Sequence, residues 1–405
     1  MSANTLASML LSALSSVGSA LEACAPGLSS FLQPGLSPLV INSTTYRVAG
    51  HLGSGGFSTV LLGQPTNANS SSSEQQQQCA IKKMHCVRGT DMLAHARREV
   101  AAYRAFTHRN IVRMLESAEA EEPNGDVTVY MVFPVLAEIG LSNGLEGEQR
   151  APLDEDEVVR IFLGVCRALE YLHAYEGDAM IEDGALNDGE TGRRAREGQG
   201  AVGGGSSPRG YAPLTLDDAS AEPQRPGGSP AHPPSEAATG HTTAHQPGYV
   251  HGDVKLGNVM LDGAGTPVLL DFGSVRAASQ HAVTRHMALC IQDTAAEHST
   301  MAYRAPELFD VQRGARLDAR TDVWALGCLL YALAFGCTPF EDPVQAQGAS
   351  IALAAINANY KVPANSPYSH RIPRLIAYML EPDPALRPFV GQVISLAASL
   401  YETVD

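Results

Sequence analysis

The sequence predicts an α+β fold in which a small β-rich part with one helix precedes a larger, mainly helical part. Two observations lead to this prediction. Between residues 46 and 133, short alternating runs of apolar and polar residues are separated by turn-forming residues, which is typical of antiparallel strands. From residue 154 onward the apolar residues recur with helical spacing, and hydrophobic residues make up 44% of the 405-residue chain, enough for a buried core.

Five strands and one helix are expected in the first part. The strands are predicted at residues 46–52, 59–63, 79–84, 111–118 and 127–133, and the helix at residues 91–106. A glycine-rich turn joins the first two strands, and an Asn-, Ser- and Gln-rich loop at 64–78 follows the second. The run Pro-Asn-Gly-Asp at 123–126 is the turn signal between the last two strands.

A break in composition interrupts the second part. Residues 176–247 are rich in Gly, Pro, Ser and charged residues and contain few large apolar ones, which is typical of a disordered insert. Because a longer loop adds little closure entropy, the segments on both sides are expected to form one domain. The predicted boundaries are an N-terminal extension at 1–44 and a domain at 45–401, divided into 45–136 and 137–401.

The first forty residues carry a single charge, Glu22. The lack of a basic n-region and of arginine argues against a secretory signal or a transit peptide, and Ser2 excludes N-myristoylation. Apolar residues recur on one helical stripe opposite serines, as in helices that bind curved membranes. Two interpretations stay open for residues 1–40: peripheral membrane contact, or a tail that is disordered or packed on the folded domain.

Composition also restricts partners and location. A formal net charge of -15 disfavours binding to a phosphate backbone, so no nucleic-acid partner is expected. Seven dispersed cysteines without a C-x-x-C pair are typical of reduced thiols in the cytoplasm. The longest strongly apolar run, at 324–335, is too short to cross a bilayer. The oligomeric state is not indicated.

The glycine-rich turn is a candidate phosphate-binding loop. Glycines let backbone N–H groups approach phosphates, and the position between two strands argues against a dinucleotide-binding turn or a P-loop. Alone the signal is weak, because most glycine-rich hairpins are only turns. Lys82 on the next strand can reach the phosphates, with Glu99 on the following helix as its ion-pair partner, although either alone would be interpreted as a surface residue. The loop comprises Gly53, Ser54, Gly55, Gly56, Phe57, Ser58, Thr59 and Val60.

The strongest chemical signal is H-x-D-x-K-x-x-N at 251–258, followed by Asp-Phe-Gly at 271–273. Phosphoryl transfer depends on positioned charge more than on covalent steps. Asp253 is the predicted group that accepts or orients the substrate hydroxyl proton, and Lys255 would neutralise the γ-phosphate. Asn258 and Asp271 carry the hard oxygen ligands that Mg²⁺ prefers. The interval between the two motifs makes a chance match a poor explanation.

With Ala-Pro-Glu at 305–307, Asp-x-Trp-x-x-Gly at 322–327 and Arg387, the chain resembles the eukaryotic protein kinase family from residue 46 onward. The resemblance implies a bilobal protein kinase fold with ATP in the cleft. It implies a buried pair of Glu307 with Arg387, and hydrogen bonds between Asp322 and the catalytic-loop backbone. The adenine contacts that it implies are Leu52, Val60, Ala80, Met260 and a hinge at 134–136 that includes Val135.

Segments at 267–271, 291–296 and 303–309 resemble the Numb-associated kinase family, most of all its dually acylated, Golgi-linked serine/threonine kinase branch. This resemblance implies transfer of the γ-phosphoryl group of ATP, with Mg²⁺, to serine or threonine of protein substrates. It also implies a helical activation segment near 289–297, contact of Thr300 with Asp253, and a peripheral location at the Golgi or endomembranes.

The chain departs from the family pattern in four places. Gly252 replaces the usual arginine, Ser58 replaces the third loop glycine, the insert 176–247 precedes the catalytic loop, and the acylation-ready N-terminus is missing. We therefore do not expect this chain to share the membrane anchoring by acylation of that kinase branch. Since Gly252 has no side chain to bind a phosphate on the activation segment, we expect activity without phosphorylation there. The alternative is that Arg276 or Arg285 takes the place of the missing arginine and binds such a phosphate.

Two other functions compete with an active protein kinase. A pseudokinase scaffold would usually lack an equivalent of Lys82, Asp253 or Asp271, and all three are present. A small-molecule phosphotransferase would share the lysine and aspartates but lack the Ala-Pro-Glu and Asp-x-Trp-x-x-Gly segments.

Overall fold

A computed structural model of the protein describes residues 38–55, 58–66, 78–139, 153–177, 248–341 and 350–401. The chain divides into two compact units. The first runs up to Val100 and includes Arg113–Val135, and the second contains Ala101–Val112 and the chain from Leu136 onward. The insert predicted at 176–247 and the stripe predicted in residues 1–40 lie, but for a few residues at their edges, outside the described residues.

The first unit is built on a six-stranded antiparallel sheet with the order β1-β2-β3-β4-β6-β5. Its strands are β1 Leu39–Ile41, β2 Thr44–Ser54, β3 Ser58–Pro65, β4 Cys79–Cys86, β5 Glu116–Glu121 and β6 Val127–Pro134. One face is covered by a cluster that includes Ile41, Tyr46 and Ile81. The helix that follows β4 is α1, Met92–Ala105.

Two details of this sheet differ from the prediction of five strands. Strand β1 lies in the segment assigned to the N-terminal extension; it pairs with β2, and its Ile41 is fully buried. A run of three residues is too short to show a strand pattern on its own. The strand predicted at 111–118 begins only at Glu116, because Ile111 instead forms a bridge with Leu269.

Helices dominate the second unit, as predicted. They are α2 Glu155–His173, α3 Arg285–His298, α4 Arg320–Phe335, α5 Ile351–Ile356, α6 Arg371–Met379 and α7 Val390–Tyr401. Helix α2 begins at an N-cap, Asp154, whose carboxylate accepts from the N–H of Glu157 at 2.7 Å. Helix α4 is buried along 321–334, as expected for an apolar helix at the centre of a unit. None of the helices in the described ranges is long and apolar enough to cross a membrane.

Short ladders hold the two candidate catalytic motifs in the second unit. The strands are β7 Ala137–Glu138, β8 Tyr249–Val250, β9 Val259–Leu261, β10 Pro267–Leu269, β11 Arg276–Ala277, β12 Gln280–His281 and β13 Arg316–Leu317. The pairs β9 with β10 and β8 with β11 flank the motifs at 251–258 and 271–273. Since both ends of each motif are fixed in a ladder, the two motifs lie side by side.

Candidate active site

The first unit contains the predicted ion pair. Val60 lies opposite Lys82 in the β3–β4 register, and Ala80 lies two residues before Lys82, so the three side chains share one face of the sheet. Lys82 Nζ donates to Glu99 Oε1 at 2.6 Å, and Glu99 on α1 is 1% exposed. A lysine oriented in this way presents its charge at a defined position on the sheet.

The candidate phosphate-binding loop is a tight hairpin. Gly53 lies opposite Val60, Ser54 lies opposite Thr59, and the N–H of Gly55 donates to the carbonyl of Ser58 at 2.8 Å. Gly56 and Phe57, at its tip, lie outside the described residues. Leu52 and Val135 are the exposed members of the predicted adenine set in this unit, and Ala80 lies opposite Phe133 in the β4–β6 register.

A buried carboxylate supports the catalytic loop of the second unit. Asp322 accepts hydrogen bonds from the backbone N–H of His251 at 2.8 Å and of Gly252 at 3.0 Å, as predicted. His173, at the end of α2, contacts the same carboxylate at 3.0 Å, a partner that the sequence analysis missed. Burial alone would raise the pKa of Asp322, but the hydrogen bond and electrostatic attraction of His173, together with His251 and the Gly252 N–H, outweigh it and hold the pKa below its ordinary value. The carboxylate therefore stays ionised.

Aromatic rings connect the two motifs. His251 packs edge-on against Phe272 with ring centroids 5.2 Å apart, and Phe272 packs in the same manner against Tyr103 at 5.1 Å. The Tyr103 hydroxyl accepts from the N–H of Asp271 at 3.0 Å. Asp271 has a left-handed backbone with φ 63°, and such strain persists where the surroundings hold it. Tyr103 was missed, although it lies four residues after Glu99 on the same helix.

Asp253 is the centre of a polar cluster. Its Oδ1 accepts from the N–H of Thr300 at 2.8 Å, and its Oδ2 lies 2.7 Å from Lys255 Nζ. Lys255 Nζ also donates to Thr300 Oγ1 at 2.9 Å, and Asn258 Nδ2 donates to the Asp253 carbonyl at 2.9 Å. The predicted contact of Thr300 with Asp253 is present. The cluster holds a carboxylate in one orientation beside the Lys255 cation, which suits transfer of a hydroxyl proton and a phosphoryl group.

The metal ligands predicted at Asn258 and Asp271 suit magnesium. The Asn258 nitrogen is directed at Asp253, which leaves its Oδ1 as an oxygen ligand. The Leu270 N–H donates to the Asn258 carbonyl at 2.9 Å. Asp271 directly follows Leu270, so its backbone lies close to Asn258. The described residues contain no cluster of three or more His, Cys, Asp or Glu that could hold a metal alone. Mg²⁺ commonly takes one or two protein oxygens together with phosphates and waters, so the donor set fits.

The predicted pair of Glu307 with Arg387 is bidentate, with Arg387 fully buried and the Glu307 side chain 12% exposed. Arg387 Nη1 and Nη2 donate to the two carboxylate oxygens at 2.8 and 3.0 Å. The Arg387 side chain is fully buried, and its remaining donors reach the carbonyls of Glu381, Arg320 and Pro382. This pair is structural, because every donor of the guanidinium is already occupied.

The activation segment is ordered by its own side chains. Helix α3 extends the helix predicted at 289–297 in both directions and begins at an N-cap, Thr284. At its other end Arg304 donates to Ser299 Oγ, to the Ser299 carbonyl and to the Ala296 carbonyl at 2.8 to 3.3 Å. An arginine on the last carbonyls of a helix satisfies groups that would otherwise lack partners.

Gly252 has a backbone that an arginine would adopt only under strain. Its φ is +80°, in the left-handed region that favours glycine. A Cβ at this position would lie 2.7 Å from the Ser274 carbonyl oxygen, closer than side chains approach. Glycine at position 252, where the family usually has arginine, therefore fits the local backbone conformation.

Comparison with known proteins identifies the family of the chain. The family model for the protein kinase domain matches residues 46–177 and 235–396, and the chain belongs to this family. Serine/threonine-protein kinase ppk13 of Schizosaccharomyces pombe is 28% identical over 93% of this chain and 96% of its own length.

Two further relatives are similar over most of their length. Serine/threonine-protein kinase 16 of Rattus norvegicus is 29% identical, over 89% of this chain and 92% of its own length. Serine/threonine-protein kinase ENV7 of Saccharomyces cerevisiae is 27% identical, over 89% of this chain and 93% of its own length. The chain is a serine/threonine protein kinase, and its kinase domain implies ATP-dependent phosphoryl transfer.

Proposed function

We propose that this kinase uses Asp253 to position the serine or threonine hydroxyl of a protein substrate for attack on the γ-phosphate of ATP. The observation that supports this most directly is the Asp253 carboxylate, held by the Thr300 N–H and beside Lys255 Nζ. In this orientation one carboxylate oxygen can accept the hydroxyl proton, while Lys255 neutralises charge on the transferred group.

Asn258 and Asp271 would hold Mg²⁺, which supplies positive charge at the ATP phosphates when it is bound. The role of Asn258 in the protein is to join this position to Asp253 through its amide nitrogen. The role of Asp271 depends on its left-handed backbone and on the Tyr103 hydroxyl that accepts from its N–H. A few fixed oxygens of this kind orient the phosphates without enclosing the metal.

The remaining predicted residues are proposed to contact ATP. Lys82, oriented by Glu99, would reach the α- and β-phosphates, and the 53–60 hairpin would offer its backbone N–H groups to them. The proposed adenine contacts are Leu52, Val60, Ala80, Val135 and Met260. A pseudokinase scaffold is the competing proposal, and the intact positions Lys82, Asp253 and Asp271 disfavour it.

The test is transfer of label from γ-labelled ATP to a library of serine, threonine and tyrosine peptides, followed by phosphoamino acid analysis. Label on serine and threonine supports the proposal. Binding of ATP without transfer would favour the scaffold, and label confined to tyrosine would contradict the assigned substrate class.

We also propose that residues 45–401 form one kinase domain with an N-terminal extension at 1–44, of which strand β1 joins the sheet of the domain. The family match on both sides of the insert, at 46–177 and 235–396, supports this division. The finer placement in the Golgi-linked branch of the Numb-associated kinases rests on the segments at 267–271, 291–296 and 303–309.

Activity without activation-segment phosphorylation is expected from this site. Arg304 and the helix α3 order the segment, and Gly252 offers no side chain to a phosphate. Treatment of the purified enzyme with a phosphatase, checked by mass spectrometry, should leave the initial rate nearly unchanged. A fall of about tenfold or more, about 1.4 kcal/mol in the barrier, would contradict this expectation.

The proposed location is the cytoplasm, with peripheral contact to the Golgi or endomembranes through residues 1–40. The apolar stripe that includes Leu6, Leu10 and Leu14 supports it, since such helices bind curved bilayers. A fusion of residues 1–40 should float with small vesicles and less with large ones. A Leu10→Ser, Leu14→Ser variant is the matched control, and absence of flotation with small vesicles would refute the membrane contact.

A further inference from the structure

We propose that the surface at the start of α3 docks an acidic segment of the protein substrate, an inference that rests on the proposed kinase function. This α3 basic surface consists of His281, Val283, Arg285, Arg313 and Arg316, all of them exposed. Nothing in the phosphoryl-transfer mechanism uses these residues.

A strand pairing and a hydrogen bond make this surface contiguous. His281 and Arg316 lie directly opposite each other in the β12–β13 ladder, where side chains are near neighbours. Arg313 Nε donates to the Val283 carbonyl at 3.3 Å. Arg285, two residues after Val283, is the first residue of α3. Four basic side chains therefore surround one short stretch of backbone.

The positive charge of this surface is not neutralised within the described part of the chain. Arg285, Arg313 and Arg316 form no ion pair with a described residue, and the first turn of α3 contains no acidic residue. Of the acidic residues near Arg313 and Arg316 in sequence, Asp310 is exposed and makes no ion pair with them, while Asp318 is paired with Arg320 at 2.7 Å. Unpaired guanidinium groups are suited to bidentate contact with carboxylates.

The α3 basic surface is positively charged, whereas the chain as a whole carries a net negative charge. The chain has a formal net charge of -15, so an acidic ligand is repelled by most of the protein and attracted locally. The same net charge disfavours an anionic membrane, which presents its charge over a surface larger than the basic patch. A flexible acidic peptide, which can contact the patch alone, is the partner that fits.

Two exposed apolar side chains accompany the charges. Val283 is 52% exposed and Leu289 is 40% exposed. Leu289 lies four residues after Arg285, on the same face of α3. The favoured ligand is therefore an acidic segment that also carries an apolar residue.

The position of the surface suggests where the acidic segment lies in the substrate. Helix α3 has 14 residues, about 21 Å at its regular rise, and it leads to Thr300, whose N–H contacts Asp253. An extended peptide spans that length with about six or seven residues. The acidic segment should therefore lie at least that far from the phosphorylated residue.

The experiment compares two serine peptides that differ only in a remote tract, glutamates with one leucine in the first and glutamines with the same leucine in the second. The full-length wild-type enzyme should show kcat/KM about tenfold higher for the acidic peptide, mainly through KM. The Arg285→Gln, Arg313→Gln, Arg316→Gln variant should lose this preference and keep its kcat/KM for the glutamine peptide. The control replaces three other exposed arginines, Arg109, Arg113 and Arg374, by glutamine and should keep the preference.

Anisotropy of the labelled acidic peptide measures docking without catalysis. Binding by the wild type and the control, lost in the α3 variant and weakened by salt, supports the proposal even if no peptide is phosphorylated. Phosphorylation of both peptides at equal rates would overturn docking while leaving the kinase function intact. Loss of binding to phosphatidylserine vesicles in the α3 variant, without any peptide preference, would also overturn it and favour a membrane.

Discussion

Replacing Asp253 by asparagine should reduce kcat for peptide phosphorylation by at least about 100-fold and leave the protein folded. The substitution keeps the shape of the side chain and removes the negative charge that lies 2.7 Å from Lys255 Nζ. Lys82→Met and Asp271→Asn should have losses of similar size, because each removes one positioned charge. Steady-state rates with γ-labelled ATP measure kcat, and far-UV circular dichroism checks the fold.

Lys83→Met is the matched control for Lys82→Met. The two lysines are neighbours on β4, but Lys83 points to the opposite face of the sheet and lies opposite Tyr130. Its replacement should leave kcat within about threefold of wild type, since no positioned charge is lost. A near-normal rate for Lys82→Met, Asp253→Asn or Asp271→Asn would contradict the roles proposed for these residues.

Replacing Arg387 by methionine should destabilise the second unit by about 3–5 kcal/mol. The change leaves the Glu307 carboxylate without its bidentate partner and removes donors from the carbonyls of Glu381 and Arg320. It also removes the guanidinium stacked at 5.2 Å from the Trp324 ring. Urea unfolding followed by the fluorescence of Trp324, the one tryptophan of the chain, measures the loss.

The comparison is Arg97→Met, which breaks an equally short pair on the surface. Arg97 lies 2.7 Å from Glu119, but the two side chains are 59% and 41% exposed. Solvent screens such a pair, so its loss should cost less than about 1 kcal/mol. Because Arg97 lies in the first unit and Trp324 in the second, unfolding of both variants is also followed by far-UV circular dichroism. If Arg387→Met does not fold, Glu307→Gln, which keeps the shape of the pair, gives a measurable intermediate. Equal effects of Arg387→Met and Arg97→Met would show that burial of the first pair adds nothing.

The sequence by itself determined the class of protein and predicted most of the residues that we propose for catalysis. The motifs at 251–258 and 271–273 are short and local, and phosphoryl transfer restricts which residue types can occupy them. The long helices were equally predictable, because the apolar spacing of α2 and the continuous apolar run of α4 extend over several turns. An apolar pattern that extends over several helical turns is compatible with few structures other than a helix.

The tertiary structure decided what depends on residues far apart in the chain. Strand β1 is too short to be recognised before it is paired with β2, and the 111–118 segment was shortened because Ile111 bridges Leu269. The support of Asp322 by His173 joins positions 149 residues apart. The α3 basic surface likewise forms only where Arg313 contacts Val283 and Arg316 lies opposite His281. Such contacts carry no periodic signal, because their energy depends on burial and distance that exist only once the chain has folded.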